Sequence, residues 1–389
     1  LEKSKNLVAY LQSDTEGHYL HFLDFKTNKI GFLKTFSTHT IEKYDSDFNL
    51  IFSKEITPLE NKEANIIDIF SFEHKMYCVS VDNDRKDNQV IYAISEIDSK
   101  GEILAAKNIT LPNLTKEPRL SNFLIVKSPN TSKLLLVSTS GMRGKKDDFT
   151  AYCWVLDKDL KEVWKKGITI PVRERRLATH DFNVTNSGEV FFLGKTFERN
   201  RRFEFEEEDG LERADEIDYE LDLYHLTADS KSYKKTAIQF EGIPKSSQLA
   251  IDNDDNLIFA SLYKDSKKGP IQGLYTQLWN KSKGSWGTAE LRSFTEKELA
   301  TFGKKFTKKD GKSKSVGLKG KYELGELFIK ANGDVLVIAE ENFKKQQQNY
   351  DRSSKRRIPL DHISNHIIVF QLSGDRTVKQ VNVIPKKQV

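Results

Sequence analysis

The residues best equipped for chemistry sit in one short stretch. The string VRERR brings Arg173, Arg175 and Arg176 together, with His180 and Asp181 just beyond. Arginine grips carboxylates and phosphates through two parallel hydrogen bonds, so Arg173, Arg175, Arg176 and His180 form a candidate contact for a small anion. The plainer role for the same arginines is ion pairing between neighbouring elements. His180 and Asp181 precede an apolar run and are expected to face a central channel.

Elsewhere the search for reactive groups returns little. The strings DNDDN (252–256) and DNDRKDN (82–88) look like calcium loops, but Tyr263 and Ala93 stand where an EF-hand needs its twelfth-position Glu. The first string also falls in a repeated turn, where Asn and Asp serve backbone geometry. His18, His21 and His39 lie near one another in sequence, and His362 and His366 are four apart. No helix supports that last pair and no third ligand is evident, so no metal is expected. Cys78 (MYCVS) and Cys153 (AYCWV) lie in apolar runs and read as small core residues; a disulfide between them is not required. There is no GxSxG, HExxH, P-loop or CxxC motif. These absences lead to an expectation of no catalytic residue, no cofactor and no enzyme.

The elements that would position these residues follow a repeat. An apolar strand, a turn of Gly, Asn or Asp and a second apolar strand recur at 182–197 (FNVTNSGEVFFLGKTF), 249–264 (LAIDNDDNLIFASLYK) and 327–342 (LFIKANGDVLVIAEEN), and more weakly at 66–81 and 123–140. Each copy precedes a second hairpin, as in 223–240 (LYHLTADSKSYKKTAIQF) and 367–384 (IIVFQLSGDRTVKQVNVI). Short polar turns between alternating apolar runs are hairpin signals. At the N-terminus, 18–36 is expected to form a first hairpin and 38–57 a second. Two hairpins per unit, repeated, predict an all-β chain: a β-propeller of six four-stranded blades, with seven the alternative count. A sandwich pair or an open solenoid is the competing architecture. The segment LVAYLQ (7–12) is expected to join the last blade and fasten the ring. Trp154, Trp164, Trp279 and Trp286 all fall in second hairpins, which suits packing between blades; a sugar-stacking platform is the alternative.

Composition bounds the function. The chain has 389 residues, 37% of them hydrophobic and 11% aromatic, enough for a large core. Charged residues make up 31%, yet 62 basic groups face 57 acidic ones, a balance that argues against nucleic acid. No apolar run is long enough for a membrane helix. The start at Leu1-Glu2-Lys3 reads as that of a processed chain.

Three inserts break the even spacing. The first, 198–222, is acidic and holds Glu206, Glu207 and Glu208; the second, 302–321, has eight lysines, among them Lys304, Lys305, Lys308 and Lys309; the third, 343–357, carries Arg352, Arg356 and Arg357. Links between hairpins emerge on one face of a propeller and within-hairpin turns on the other. The inserts therefore predict one electrically polarised face, suited to docking a protein partner and to lying near a membrane surface. A solvated loop is the plainer reading of each.

Two stretches, LFIKANGDVLVIAEENF (327–343) and NHIIVFQLSGDRTVKQVNVIPKKQ (365–388), resemble uncharacterised exported propeller-like repeat proteins of Bacteroidota, whose chains close on Ile-Pro-Lys-x-Gln, here Ile384 to Gln388. The resemblance covers roughly 183–388. It implies an exported protein, periplasmic or outer-membrane associated, and carries no catalytic residue across. By analogy it implies an accessory subunit of an envelope machine, for example a periplasmic plug of a type 9 secretion translocon. A carbohydrate-binding or hydrolytic propeller using its central channel is the alternative.

Overall fold

The computed structural model describes residues 5–15, 17–27, 35–57, 65–84, 89–112, 122–140, 148–198, 219–266, 269–301, 305–310, 313–318, 320–346 and 360–386. Almost everything described is strand, and consecutive strands pair antiparallel into six sheets. Blade 1 holds β1 (Lys5–Asp14), β2 (Gly17–Thr27), β3 (Thr35–Tyr44) and β4 (Leu50–Glu55). Blade 2 holds β5 (Asn65–Phe72), β6 (Lys75–Asp84), β7 (Gln89–Ile97) and β8 (Ile103–Pro112). Blade 3 comprises β9 (Asn122–Lys127), β10 (Lys133–Thr139), β11 (Asp148–Asp157) and β12 (Glu162–Arg173); blade 4 comprises β13 (Leu177–Val184), β14 (Val190–Phe197), β15 (Tyr219–Leu226) and β16 (Lys234–Ala237).

Blade 5 begins with β17 (Ile243–Ile251), β18 (Leu257–Lys264) and β19 (Ile271–Asn280). Its outer edge is split between β20 (Ser285–Trp286) and β21 (Glu290–Ser293), both paired to β19. A short helix α1 (Glu296–Thr301) follows, then the hairpin β22 (Lys305–Asp310) and β23 (Ser313–Leu318), which joins the sheet through Ile271 and Leu318. Blade 6 holds β24 (Tyr322–Ile329), β25 (Val335–Gln346), β26 (Leu360–Leu372) and β27 (Val378–Ile384). The architecture is a six-bladed β-propeller. The seventh blade does not exist among the described residues.

Turn chemistry explains why the hairpins form where they do. Seven turns share one geometry: the first residue's N–H donates to the carbonyl of the fifth, and its own carbonyl accepts from the N–H of the fourth. The fourth residue is left-handed, filled by Gly101, Gly188 or Gly333 but also by Phe48, Leu160, Asp255 and Arg376. An Asp in the first position ties the turn down. Asp45, Asp98, Asp157 and Asp252 each accept the amides two and four residues on at 2.8–3.0 Å. The calcium-like DNDDN string is thus one of these turns.

Two expectations need correction. LVAYLQ does not fasten the last blade; it lies in β1, paired along its length with β2. The first hairpin of blade 1 is therefore β1–β2, not a hairpin within 18–36. Two bulges in β1 disturb the alternation that would have revealed it. The lysine-rich insert also is not a plain loop, since Lys305, Lys308 and Lys309 lie on strand β22. Strand structure likewise covers Tyr219 to Asp222 and Phe343 to Gln346 at the edges of the other two inserts.

Candidate functional site

The first strand of each blade is innermost, and neighbouring first strands meet around the channel, β1 with β5, β9 with β13, β13 with β17 and β17 with β24. His180 and Asp181 lie on β13, at a bulge between the pairs His180–Leu193 and Asn183–Phe191. The bulge puts Asp181 in the left-handed region at φ 54°. Such a backbone costs about 1–3 kcal/mol and is held by its surroundings. Here the surroundings are the unpaired edge of the next blade. Asp181 Oδ2 accepts the Leu249 N–H at 3.1 Å, and Asn183 Nδ2 donates to the Leu249 carbonyl at 3.0 Å. His180 makes a hydrogen bond to the Ser247 backbone.

The device repeats one blade on. Ser246 Oγ accepts the Leu324 N–H at 3.0 Å, and Gln248 Nε2 donates to the Leu324 carbonyl at 3.1 Å. Between blades 2 and 1 a single bond does similar work, from Ser71 Oγ to the Leu11 carbonyl at 2.6 Å. A sheet edge carries unsatisfied backbone groups. A collar of short polar side chains thus satisfies inner edges that a flat strand would leave bare.

The collar has one chemically unfinished spot. His180 Nε2 is buried with no hydrogen-bond partner among the described residues, 3.8 Å from Asp181 Oδ2. Burial, reinforced by the Lys195 ammonium, pushes the His180 pKa down to about 3. Burial pushes Asp181 up to about 7, against the Leu249 N–H and Lys195. A neutral imidazole with a spare acceptor beside a carboxyl that gives up its charge reluctantly can take a hydrogen-bond donor.

The arginines do not converge on this spot. Arg176 donates its Nε–H to the Phe197 carbonyl at 2.8 Å, while Arg173 is exposed at the entry to a short 3-10 turn (Glu174–Arg176); the side chain of Arg175 lies outside the described residues. Nor do the charged inserts give a visible surface. Glu206, Glu207, Glu208, Lys304, Arg352, Arg356 and Arg357 lie outside the described residues, as do the side chains of Lys305, Lys308 and Lys309.

On the opposite rim the turns form a belt. Thr131 Oγ1 donates to Glu73 at 2.5 Å, linking blades 2 and 3. The Asn130 N–H donates to Asn186 at 3.0 Å, and the Asn186 N–H to Asp255 at 2.6 Å, carrying the belt to blade 5. Arg376 of blade 6 closes the last link, donating to Asp252 at 3.2 Å and to the Gly333 carbonyl at 2.9 Å.

Between the rims, five hydrophobic clusters fill the contacts of blades 1–2, 2–3, 3–4, 4–5 and 5–6. Trp154, Trp164, Trp279 and Trp286 all belong to these cores or pack against them. Cys78 and Cys153 are free and buried, and burial raises their thiols to about 11 and about 12. Among the described residues, no cluster joins blade 6 to blade 1, and no group of three His, Cys, Asp or Glu side chains could hold a metal ion.

The faces at that seam are apolar but poorly covered. Leu7, Val8, Tyr10, Phe48, Leu50 and Ile51 of blade 1, with Phe328 and Ile384 of blade 6, are 48–67% exposed. They are most of the large exposed apolar residues among those described. Tyr10, His18 and Phe48 form a ledge of rings, with centroids 6.0 and 5.4 Å apart. Sequence patterning missed this seam, because burial of a blade face depends on its neighbour.

No sequence-family profile matches the chain, and no curated protein matches it. Solved structures do, at fold level. The Synechocystis apocarotenoid oxygenase is 9% identical in one variant, over 94% of this chain and 72% of that one, with a TM-score of 0.42. Its cobalt-substituted form is 11% identical over 89% and 69%, also at 0.42. The β-propeller domain of the trilobed protease from Pyrococcus furiosus, described as having an open velcro topology, is 11% identical over 99% and 94%, at 0.39.

Proposed function

We propose that this chain is a non-catalytic propeller platform that docks a protein partner in a bacterial cell envelope. The observation that carries the reading is the pair of exposed apolar blade faces at the seam. Surface of that kind, concentrated in one region, is the physical mark of an interaction site. The envelope setting rests on the resemblance of the two C-terminal stretches to exported repeat proteins. Accessory service to a secretion or outer-membrane machine, such as the plug of a type 9 translocon, is the role that suits a ring with exposed apolar blade faces.

Photo-crosslinking in the source organism tests this. A photoreactive residue at Leu50 or Ile384 should capture one defined envelope protein. The same residue at Val163, an exposed apolar position on blade 3, should not. Equal capture at all three positions, or none at the seam, would remove the reading. Recovery of the protein from the cytoplasm would remove its envelope part.

A second reading, a small polar ligand in the channel, is favoured by the unpartnered Nε2 of His180. A thermal-shift screen of sugars and amines would support it through a hit that His180→Phe abolishes.

A further inference from the structure

We infer that the ring opens at the seam between blade 6 and blade 1, as a gate into the channel. Four observations point to that boundary.

The first is covalent. Each blade is built from consecutive strands, so blade 1 is wholly N-terminal and blade 6 wholly C-terminal. Among the described residues, no strand of one pairs with a strand of the other. The second is the core. Central strands of interior blades are buried on both faces: Leu134 to Thr139 of β10, Val190 to Leu193 of β14 and Leu257 to Tyr263 of β18 are buried without interruption. In β2, from Gly17 to Phe22, and in β25, from Val335 to Glu341, buried and half-buried residues alternate strictly. Leu336, Ile338, Ile367 and Val369 of blade 6 occupy the registers of Phe191, Leu193, Leu221 and Leu223 of blade 4. The blade 4 residues are buried in the core shared with blade 5; their blade 6 counterparts are only half-buried. Burial of apolar area is what holds neighbouring blades together, and here four such side chains are only partly covered.

The third feature is the collar. Asp181 and Asn183 of blade 4 grip blade 5, and Ser246 and Gln248 of blade 5 grip blade 6. Counting back from the turn, Glu326 and Phe328 hold the places of Asp181 and Asn183 in blade 6. Both are exposed. The fourth is the belt, whose bonds among the described residues run from Glu73 of blade 2 to Arg376 of blade 6. Among the described residues, the seam lacks the hydrophobic cluster that fills each of the other five blade contacts. Local opening follows the least stable boundary of a structure.

Spin labels on outermost strands test it in the purified chain. One variant carries Leu50→Cys and Ile384→Cys, on β4 and β27 across the seam. The control carries Leu104→Cys and Val163→Cys, on β8 and β12 across a filled core. All four positions are exposed, and the buried native thiols of Cys78 and Cys153 stay unlabelled. Pulsed dipolar spectroscopy should show a second, longer distance for the seam pair and a single narrow one for the control. Urea below the unfolding midpoint should enlarge the longer population in the seam pair alone. A single narrow seam distance under both conditions would overturn the gate. So would parallel broadening of both pairs, since that would mean a ring that loosens everywhere.

Discussion

Blade 4 and blade 6 are the same design in different company. Both use a glycine-bearing five-residue turn between their first strands, at Gly188 and Gly333, and both lay apolar residues on both faces of their central strands. In blade 4, Phe192 stacks between Phe182 and Tyr224 at 4.5 and 4.9 Å on one face, while Leu193 is buried on the other. In blade 6, one face is packed into the core shared with blade 5 and the other is half open. The difference teaches that a blade owes the burial of its faces to its neighbours. It also separates two meanings of an apolar residue: in blade 4 it is structural, and at the seam it is available.

The largest expected effect probes the structural side. Phe192→Ala should cost about 3–5 kcal/mol in urea unfolding, because it leaves a cavity that the packed core between blades 3 and 4 cannot collapse around. A cost below about 1 kcal/mol would mean that interior blades are as loose as the seam. Next is Arg376→Ala. It strips the belt of its blade 5–6 link and leaves Asp252 mostly buried without its cation. Breaking a buried pair costs about 3–5 kcal/mol, and the partial exposure of this one sets the expectation near the lower end. Lys379→Ala is the matched control, since Lys379 pairs with Asp334 from an exposed position and should change stability by about 0–1 kcal/mol.

The repeat made the blades legible because each turn carries its own local chemistry. TNSGE and DNDDN announce a hairpin without help from distant residues. Blade 1 was misread where that locality failed: β1 is bulged twice, and its turn onto β2 relies on Asp14 accepting the Gly17 N–H rather than on a repeat motif. His180 and Asp181 lie on the first strand of blade 4, and their side chains bond to β17 of blade 5. The collar itself was hidden, because Asp181 and Leu249 stand 68 residues apart, and only the ring brings them together. Asn183 and Gln248 were the available signal, as amides interrupting apolar strands. The seam left no mark at all, since Leu336 and Ile338 look like any buried pair until the neighbour is missing.

Acid should sharpen the contrast between the collar and the rest of the fold. His21 and His39 are buried between β2 and β3, hydrogen-bonded to each other at 3.0 Å, and burial lowers both pKa values, that of His21 to about 4. With His180 they stay neutral in the folded chain while the unfolded chain binds protons below about 6.5. Their contribution is therefore complete above about pH 6.5 and is lost as pH falls toward 4. Asp181 acts in the opposite sense. Its folded pKa of about 7 exceeds the unfolded value, so the folded chain is penalised progressively as pH rises from about 4 through 7. Asp181→Asn removes that penalty and keeps an acceptor for the Leu249 N–H. The variant should gain roughly 1–4 kcal/mol over the parent at pH 8 and nothing at pH 4. Urea midpoints at the two pH values decide it; an equal change at both would mean that Asp181 acts only as a turn-former.

The smallest effect is the most telling for function. Phe328→Ser and Leu50→Ser remove large apolar groups, yet each lies on a face that the fold does not cover. Folding stability should move by no more than about 0.5 kcal/mol, the ordinary range for an exposed site. Capture of a partner at the seam should nonetheless fall sharply in the same variants, because the apolar area is what a partner would bury. A stability loss comparable to that of Phe192→Ala would mean that the seam is packed in solution as tightly as the interior contacts. The comparison of blades 4 and 6 would then collapse, and the gate with it. A silent substitution in unfolding that is loud in crosslinking would instead place the apolar residues of blades 1 and 6 outside the folding core and inside an interface.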